Sequence, residues 1–329
     1  MKRKTRYFIL FLLIIGIVIF FLHSQKDVQT QKEQQDIPQE QGTITVFFCP
    51  EQACEEQLLQ RIKDSTKTIH CAFYDLDLNQ VITALEEKEK QGLDVKVVVD
   101  ADNAEETQHL QIVKQDTRTA YMHNKFCIFD QKEIITGSMN PTYTDTTKNN
   151  NNILFITSET LAENYEAEFD SLWSKKFGSD EQTEQTILLF NNATIENYFC
   201  PEDNCEDHIA EILKQANESI FFMQFSFTSD VLGSIILEKS KTVEVAGIFD
   251  AAQNSAYSEY ETLKDLNVSL EQNDGKLHHK VFIVDEKIVI TGSMNPSKNG
   301  NEKNDENILI IHDQEIAELF VKEFEKLKK

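Results

Sequence analysis

Positive charge is what this chain is short of. Lys and Arg total 32 against 56 Asp and Glu in 329 residues, a net charge of −24. Such a surface repels nucleic acid over most of its area, so any phosphate site must be a local positive pocket. Long apolar runs are scarce too: one stands out, Tyr7 to Leu22, behind Lys2, Arg3, Lys4 and Arg6. Its length falls between a signal-peptide core and a comfortable span of about 20 residues. A small-x-small cleavage site is missing, since His23, Ser24, Gln25 and Lys26 come next. Residues 1–23 are therefore expected to be an uncleaved signal anchor, a transmembrane helix with its basic end cytoplasmic and the body on the extracytoplasmic side. Residues 24–42 hold almost no large apolar side chains and many Gln, and read as a polar stalk.

What the chain does have is a duplication. YMHNKFCIFDQKEIITGSMNP (121–141) returns as KLHHKVFIVDEKIVITGSMNP (276–296). Both copies hold His-x-Lys, then Asp, then Gly-Ser-x-Asn: His123, Lys125, Asp130, Ser138 and Asn140, and His278, Lys280, Asp285, Ser293 and Asn295. FCIF and VFIV read as buried strands, each turning at the Asp into a second strand. The repeat extends outward, with TITVFFCPEQACEE (43–56) matching TIENYFCPEDNCED (194–207). Each half reads strand, helix, strand, helix, strand, helix, hairpin, strand, helix: an α/β pattern with a mixed sheet. The boundaries are 43–178 for the first domain, 179–193 for a linker and 194–329 for the second.

A His-x-Lys-x4-Asp-x6-Gly-Ser-x-Asn motif in two copies resembles the phospholipase D superfamily. The resemblance covers about residues 43–329. It implies two tandem domains about a pseudo-twofold axis, with both His-Lys pairs in one cleft of a single chain, expected to be a monomer. It also implies a phosphodiesterase that works without cofactor or metal. One imidazole attacks phosphorus and forms a phosphohistidine; the other protonates the leaving alkoxide and then deprotonates water. Lys125 and Lys280 suit the charge on the phosphoryl oxygens, Asn140 and Asn295 can donate to them, and Ser138 and Ser293 hold register. Asp130 and Asp285, though part of the motif, are expected to be structural.

The family usually places an acidic residue after the Asn, where it orients a motif His. Glu306 fills that place in the second half and Asn151 in the first. Read within each half, Glu306 favours a charged His278 as the acid, and His123 is expected to be the nucleophile. Phospholipid head groups are the expected substrate, with a nuclease of the same superfamily or a silent phosphate-binding module as alternatives. Lone histidines such as His70, His208 and His312 read as structural, and His279 is expected to point away from the cleft. Cys49 with Cys54, and Cys200 with Cys205, are open to local disulfides, a shared zinc site or free thiols, with disulfides favoured for an exported body. Cys71 and Cys127 read as small buried hydrophobes.

Overall fold

In the computed structural model, residues 37–178, 182–272 and 274–328 are described; the anchor segment and most of the stalk lie outside them. Among the described residues no helix is long and apolar enough to cross a membrane. The first half runs β1 (Gln39–Glu40), β2 (Ile44–Cys49), α1 (Cys54–Asp64), β3 (Thr68–Phe73), α2 (Asn79–Lys90), β4 (Asp94–Asp100), β5 (Val113–Asp116), β6 (Lys125–Phe129), β7 (Glu133–Gly137), α3 (Tyr143–Thr147), β8 (Asn151–Thr157) and α4 (Glu159–Trp173). The second runs β9 (Ile187–Phe190), β10 (Ala193–Cys200), α5 (Cys205–Gln215), β11 (Ser219–Gln224), α6 (Asp230–Lys239), β12 (Glu244–Asp250), α7 (Tyr260–Leu263), β13 (Asn267–Glu271), β14 (Lys280–Val284), β15 (Ile288–Gly292), α8 (Lys298–Glu302), β16 (Glu306–His312) and α9 (Gln314–Leu327).

The two sheets repeat one strand order. It is β2-β8-β7-β6-β3-β4-β5 in the first and β10-β16-β15-β14-β11-β12-β13 in the second, which β9 and β1 extend at one edge. Strands β3, β4 and β5 are parallel, as a crossover helix between β3 and β4 requires, and the rest of that sheet is antiparallel. Helices α1 and α2 cover the outer face of the first sheet, and α5 and α6 that of the second. The inner faces share one core with α4 and α9, in which Phe48, Phe126, Tyr165 and Phe169 meet Phe199, Phe221, Phe320 and Phe324. A mixed α/β fold in two like halves is thus present.

Several local expectations change. In the first half the third helix is replaced by a one-turn 3₁₀ segment and a strand, and in the second it shortens to α7 and is followed by a strand, because Val113–Asp116 and Asn267–Glu271 find open parallel edges on β4 and β12. Gln39 and Glu40, read as stalk, pair with β9, and the Glu40 carboxylate accepts the Thr160 N–H at 2.8 Å and the Ser158 hydroxyl at 2.5 Å. In the seam, Ile187–Phe190 is a strand because Leu188 and Phe190 alternate into the core.

Disulfides join Cys49 to Cys54 and Cys200 to Cys205, with Cα atoms 5.8 and 5.7 Å apart. The expectation of free thiols at Cys71 and Cys127 is overturned. They stand opposite one another on β3 and β6, Cα atoms 4.0 Å apart, and are bonded. The same cross-strand place in the second half holds Phe222 and Phe282, and the next strand changes from Val97 to Gly247. A Cβ on Gly247 would lie 2.0 Å from the Phe222 ring, so the glycine makes room for a larger pair.

An ion-pair cluster ties the halves together. The Arg118 guanidinium donates to Asp116 at 2.9 Å and to Asp305, and both carboxylates are about 1% exposed. Burial pushes the Asp305 carboxyl up to about 7, with Arg118 opposing. Arg118→Ala strands two buried carboxylates; because Arg118 is partly exposed, the loss should sit near the low end for a broken buried pair, about 3 kcal/mol. A carboxyl with a raised folded pKa stabilises most at low pH and loses that as pH rises through about 7. The variant's deficit in urea midpoint should therefore be larger at pH 8 than at pH 5.5, and equal midpoints at both pH values would refute the cluster's role.

Candidate active site

Each motif His sits two residues before its strand, on a segment that crosses to the other half. The His123 N–H donates to the Asp305 carbonyl and the Asp305 N–H to that of Tyr121, both at 2.9 Å. The second half mirrors this: His278 N–H to Asn150 O at 2.9 Å, and Asn150 N–H to Lys276 O at 2.8 Å. Carboxylates at the ends of β4 and β12 brace the same segments, Asp100 accepting the Met122 N–H at 3.0 Å and Asp250 the Leu277 N–H at 2.8 Å. Each His is thus placed by backbone bonds to the start of the opposite half's closing strand.

The ring partners also come from the opposite half. His123 Nδ1 lies 2.7 Å from Glu306 Oε2, and His278 Nδ1 lies 2.8 Å from Asn151 Oδ1. This reverses the within-half reading, in which Glu306 served His278. A carboxylate only accepts, so His123 carries its proton on Nδ1. The Asn151 amide nitrogen faces the Asp145 carbonyl at 3.3 Å, which turns its oxygen toward His278 and sets the same tautomer. Ser293 donates to Glu306 at 2.7 Å and Ser138 to Asn151 at 3.0 Å, so each motif serine holds the group that orients the other half's ring.

Sequence reading missed Asp145. Its Oδ2 is 3.3 Å from His278 Nδ1, which restores a carboxylate near the ring that Asn151 leaves without one. Burial works against the Asp145 charge, but His278, Asn149 and the Asn140 N–H together hold its carboxyl well below the usual range. The matching position in the second half is Gly300, so nothing in the repeat marked it. Asn140 spends its amide on Asp145 at 2.9 Å, which leaves its oxygen buried and unbonded, as the Asn295 oxygen also is.

Lys125 and Lys280 each donate to the carbonyl of their own motif His at 2.7 Å and lie 5.2 Å from the ring centres of Tyr74 and Phe225. Asp130 and Asp285 stand apart from all this, at the far end of their strands, about 16 Å away for five residues of β structure. Both take left-handed backbone in the hairpin turns, φ 52° and 54°. Asp130 accepts the N–H groups of Thr66, Lys67 and Thr68 at 2.7 to 3.0 Å, and Asp285 those of Asn217, Glu218 and Ser219. They tie hairpin to sheet. His279 is fully buried in the inter-sheet core, 3.9 Å from Glu323. His70 and His312 are bonded to Glu166 and Glu196, and His208 stacks on Tyr198.

Both motif rings, Asn140, Asn295 and Asp145 line one cavity of about 400 Å³. Burial lowers His123 to about 4, with Glu306 opposing, and His278 to about 3, with Lys280 adding to the drop. Burial also brings Lys125 down to about 8, and burial, with Lys125 beside it, holds Lys280 well below the usual lysine range. The two imidazoles line this polar cavity and the two lysines lie buried beside them; burial favours the neutral form of all four, and an anion between them would favour the charged forms. Asp75, on the same wall, is raised to about 6 by burial and by Asp77 and Asp145. A larger cavity of about 520 Å³ between α4 and the seam is lined by Glu163, Glu168 and Glu184 and would repel a phosphate.

Two like sheets that bring a pair of His-Lys sets into one cleft define a two-motif phosphodiesterase. The family model described as cardiolipin synthase, PLD-like domain, matches twice, over residues 58–173 and 209–328, and the chain belongs to the phospholipase D superfamily. It is 30% identical over 145 residues to a phospholipase D of Rickettsia typhi, covering 41% of this chain and 71% of the relative. It is 33% identical over 135 residues to the mitochondrial cardiolipin hydrolase of Mus musculus, covering 39% of this chain and 61% of that one. The crystal structure of phosphatidylserine synthase from Haemophilus influenzae superimposes with a TM-score of 0.66 at 15% identity, over 91% of this chain and 89% of that one, a likeness of fold.

Proposed function

We propose that this protein hydrolyses phospholipid head groups by two successive displacements at phosphorus. His123 Nε2 attacks, the bond from phosphorus to the head-group oxygen breaks, and His278 gives that oxygen its Nε2 proton. His278, now neutral, takes a proton from water; the water oxygen attacks phosphorus and the bond to His123 breaks, releasing a phosphomonoester. As the His123 ring gains positive charge on phosphorylation, Glu306 stabilises it. Lys125 and Lys280 face the non-bridging oxygens, and the incoming anion raises the depressed pKa of all four groups.

One observation carries this reading: both rings reach a single cavity with Nδ1 held from the opposite half, so Nε2 is the nitrogen turned to the substrate. The printed names of the relatives, phospholipase D and cardiolipin hydrolase, favour lipid. The net charge of −24 argues against a broad nucleic-acid surface. The apolar run at 7–22 behind a basic cluster supports a membrane tether with the body extracytoplasmic. The test is the full chain in detergent, with chelator, given phospholipid micelles and plasmid DNA side by side. Head-group release without nicking is expected; nicking alone would replace lipid by nucleic acid as substrate.

A further inference from the structure

The catalytic centre is close to twofold symmetric, but the walls beside it are not. On the His123 side, the Tyr74 ring edges the imidazole at 4.8 Å and Tyr121 packs on Tyr74 at 5.3 Å. The matching residues beside His278 are Phe225 and Lys276: Phe225 edges the imidazole at 4.8 Å, and the Lys276 ammonium lies 5.6 Å from the centre of the same ring. A tyrosine has become a lysine.

That lysine is held in place. Its N–H donates to Asn149 Oδ1 at 2.8 Å and its carbonyl accepts from the Asn150 N–H, so the other half fixes its backbone. Gly275 before it packs on the Lys148 carbonyl, where a Cβ would come within 1.9 Å. Yet the exposed Lys276 ammonium makes no ion pair or hydrogen bond with any described residue. Apart from the motif histidines, it is the one basic side chain on the cavity lining among the described residues, and no Leu, Ile, Val or Met joins it there. A free cation at the rim of a strongly acidic protein, over an aromatic ring that aims it at the reacting centre, fits an anion.

In-line displacement puts the leaving oxygen opposite the attacking nitrogen, and so on the His278 side. We infer that Lys276 binds a second anionic group carried by the leaving alcohol, which makes this enzyme selective for phosphodiester lipids whose head group ends in a phosphate or carboxylate. The inference rests on the phosphodiesterase reading above. A single lysine recognises one added charge; a polyanion such as nucleic acid would need a row of them. The polar lining suits a short polyol between the two charges, while the acyl chains remain outside the cavity.

The matched probes are phosphatidylglycerol and phosphatidylglycerophosphate, which differ by that second phosphate, supplied together in uncharged detergent micelles so that both meet the same surface. The readout is the ratio of glycerol phosphate to glycerol released by the full chain. The wild type should favour glycerol phosphate by about tenfold or more. Lys276→Gln should bring the ratio close to unity, Lys276→Arg should keep it, and Lys276→Glu should invert it. A wild-type ratio near one, or a ratio that Lys276→Gln leaves unchanged, overturns the assignment. If the wild type cleaves neither lipid nor bis(p-nitrophenyl) phosphate, the phosphodiesterase reading itself falls, whereas cleavage of both lipids without discrimination removes only the Lys276 subsite.

Discussion

His123→Ala and His278→Ala should each lower steady-state turnover of bis(p-nitrophenyl) phosphate by about 10⁴-fold or more, and only one of them should abolish the burst. Nitrophenolate leaves without a proton, so the first displacement needs the nucleophile and not the acid. With His278→Ala, one equivalent of nitrophenol should appear quickly and turnover then stall, because no base activates water. The trapped nitrophenyl phosphoryl group should map by mass spectrometry to His123. His123→Ala should give neither burst nor adduct. A burst that survives in His123→Ala and vanishes in His278→Ala would exchange the two roles and leave the fold argument intact. Loss of turnover by less than tenfold in either variant would remove the paired-imidazole mechanism.

Glu306→Gln comes next in size, at about 10²–10⁴-fold in kcat, because the amide no longer selects the Nδ1–H tautomer or stabilises a cationic ring. Glu306 is a positioning residue, so the discriminating readout is the pH profile. His123 stands at about 4, with burial pulling it down and Glu306 pulling it up. Without the carboxylate it falls further, and the acid limb of kcat/KM that reports its neutral form should move to lower pH. A variant that merely damaged folding would lower the rate and leave that limb in place. Linkage sets a separate stability signal. A His depressed from 6.5 to about 4 contributes stability above pH 6.5 that is lost as pH falls through 4. His278, at about 3, adds to the same loss over a window that reaches lower.

Much of this was legible in the order of residues. Equal spacing of His, Lys, Asp, Ser and Asn in two places announced the duplication, and the alternation around it the hairpins. The motif Asp, which the family resemblance implied to be structural, does fall on a turn, where an acceptor-only side chain meets the free N–H groups at the start of a strand. Cysteines five residues apart across a turn were within reach of one another on any folding. All of these are short-range facts, governed by backbone period and local sterics.

What tertiary structure alone decided joins residues that are remote in the chain. Glu306 reaches a His 183 positions away and Asn151 one 127 positions away, because the halves exchange their orienting groups across the interface. Spacing within a half could name both groups but not their partners. Asp145 entered the site only when α3 folded over the second half's histidine, and Cys71 met Cys127 only through strand register. Lys276 is one of many lysines in the text and acquires meaning from its place opposite Tyr121. Periodicity specifies elements and faces; which face meets which is set by the packing of two sheets around one core, and there the chemistry of the cleft is made.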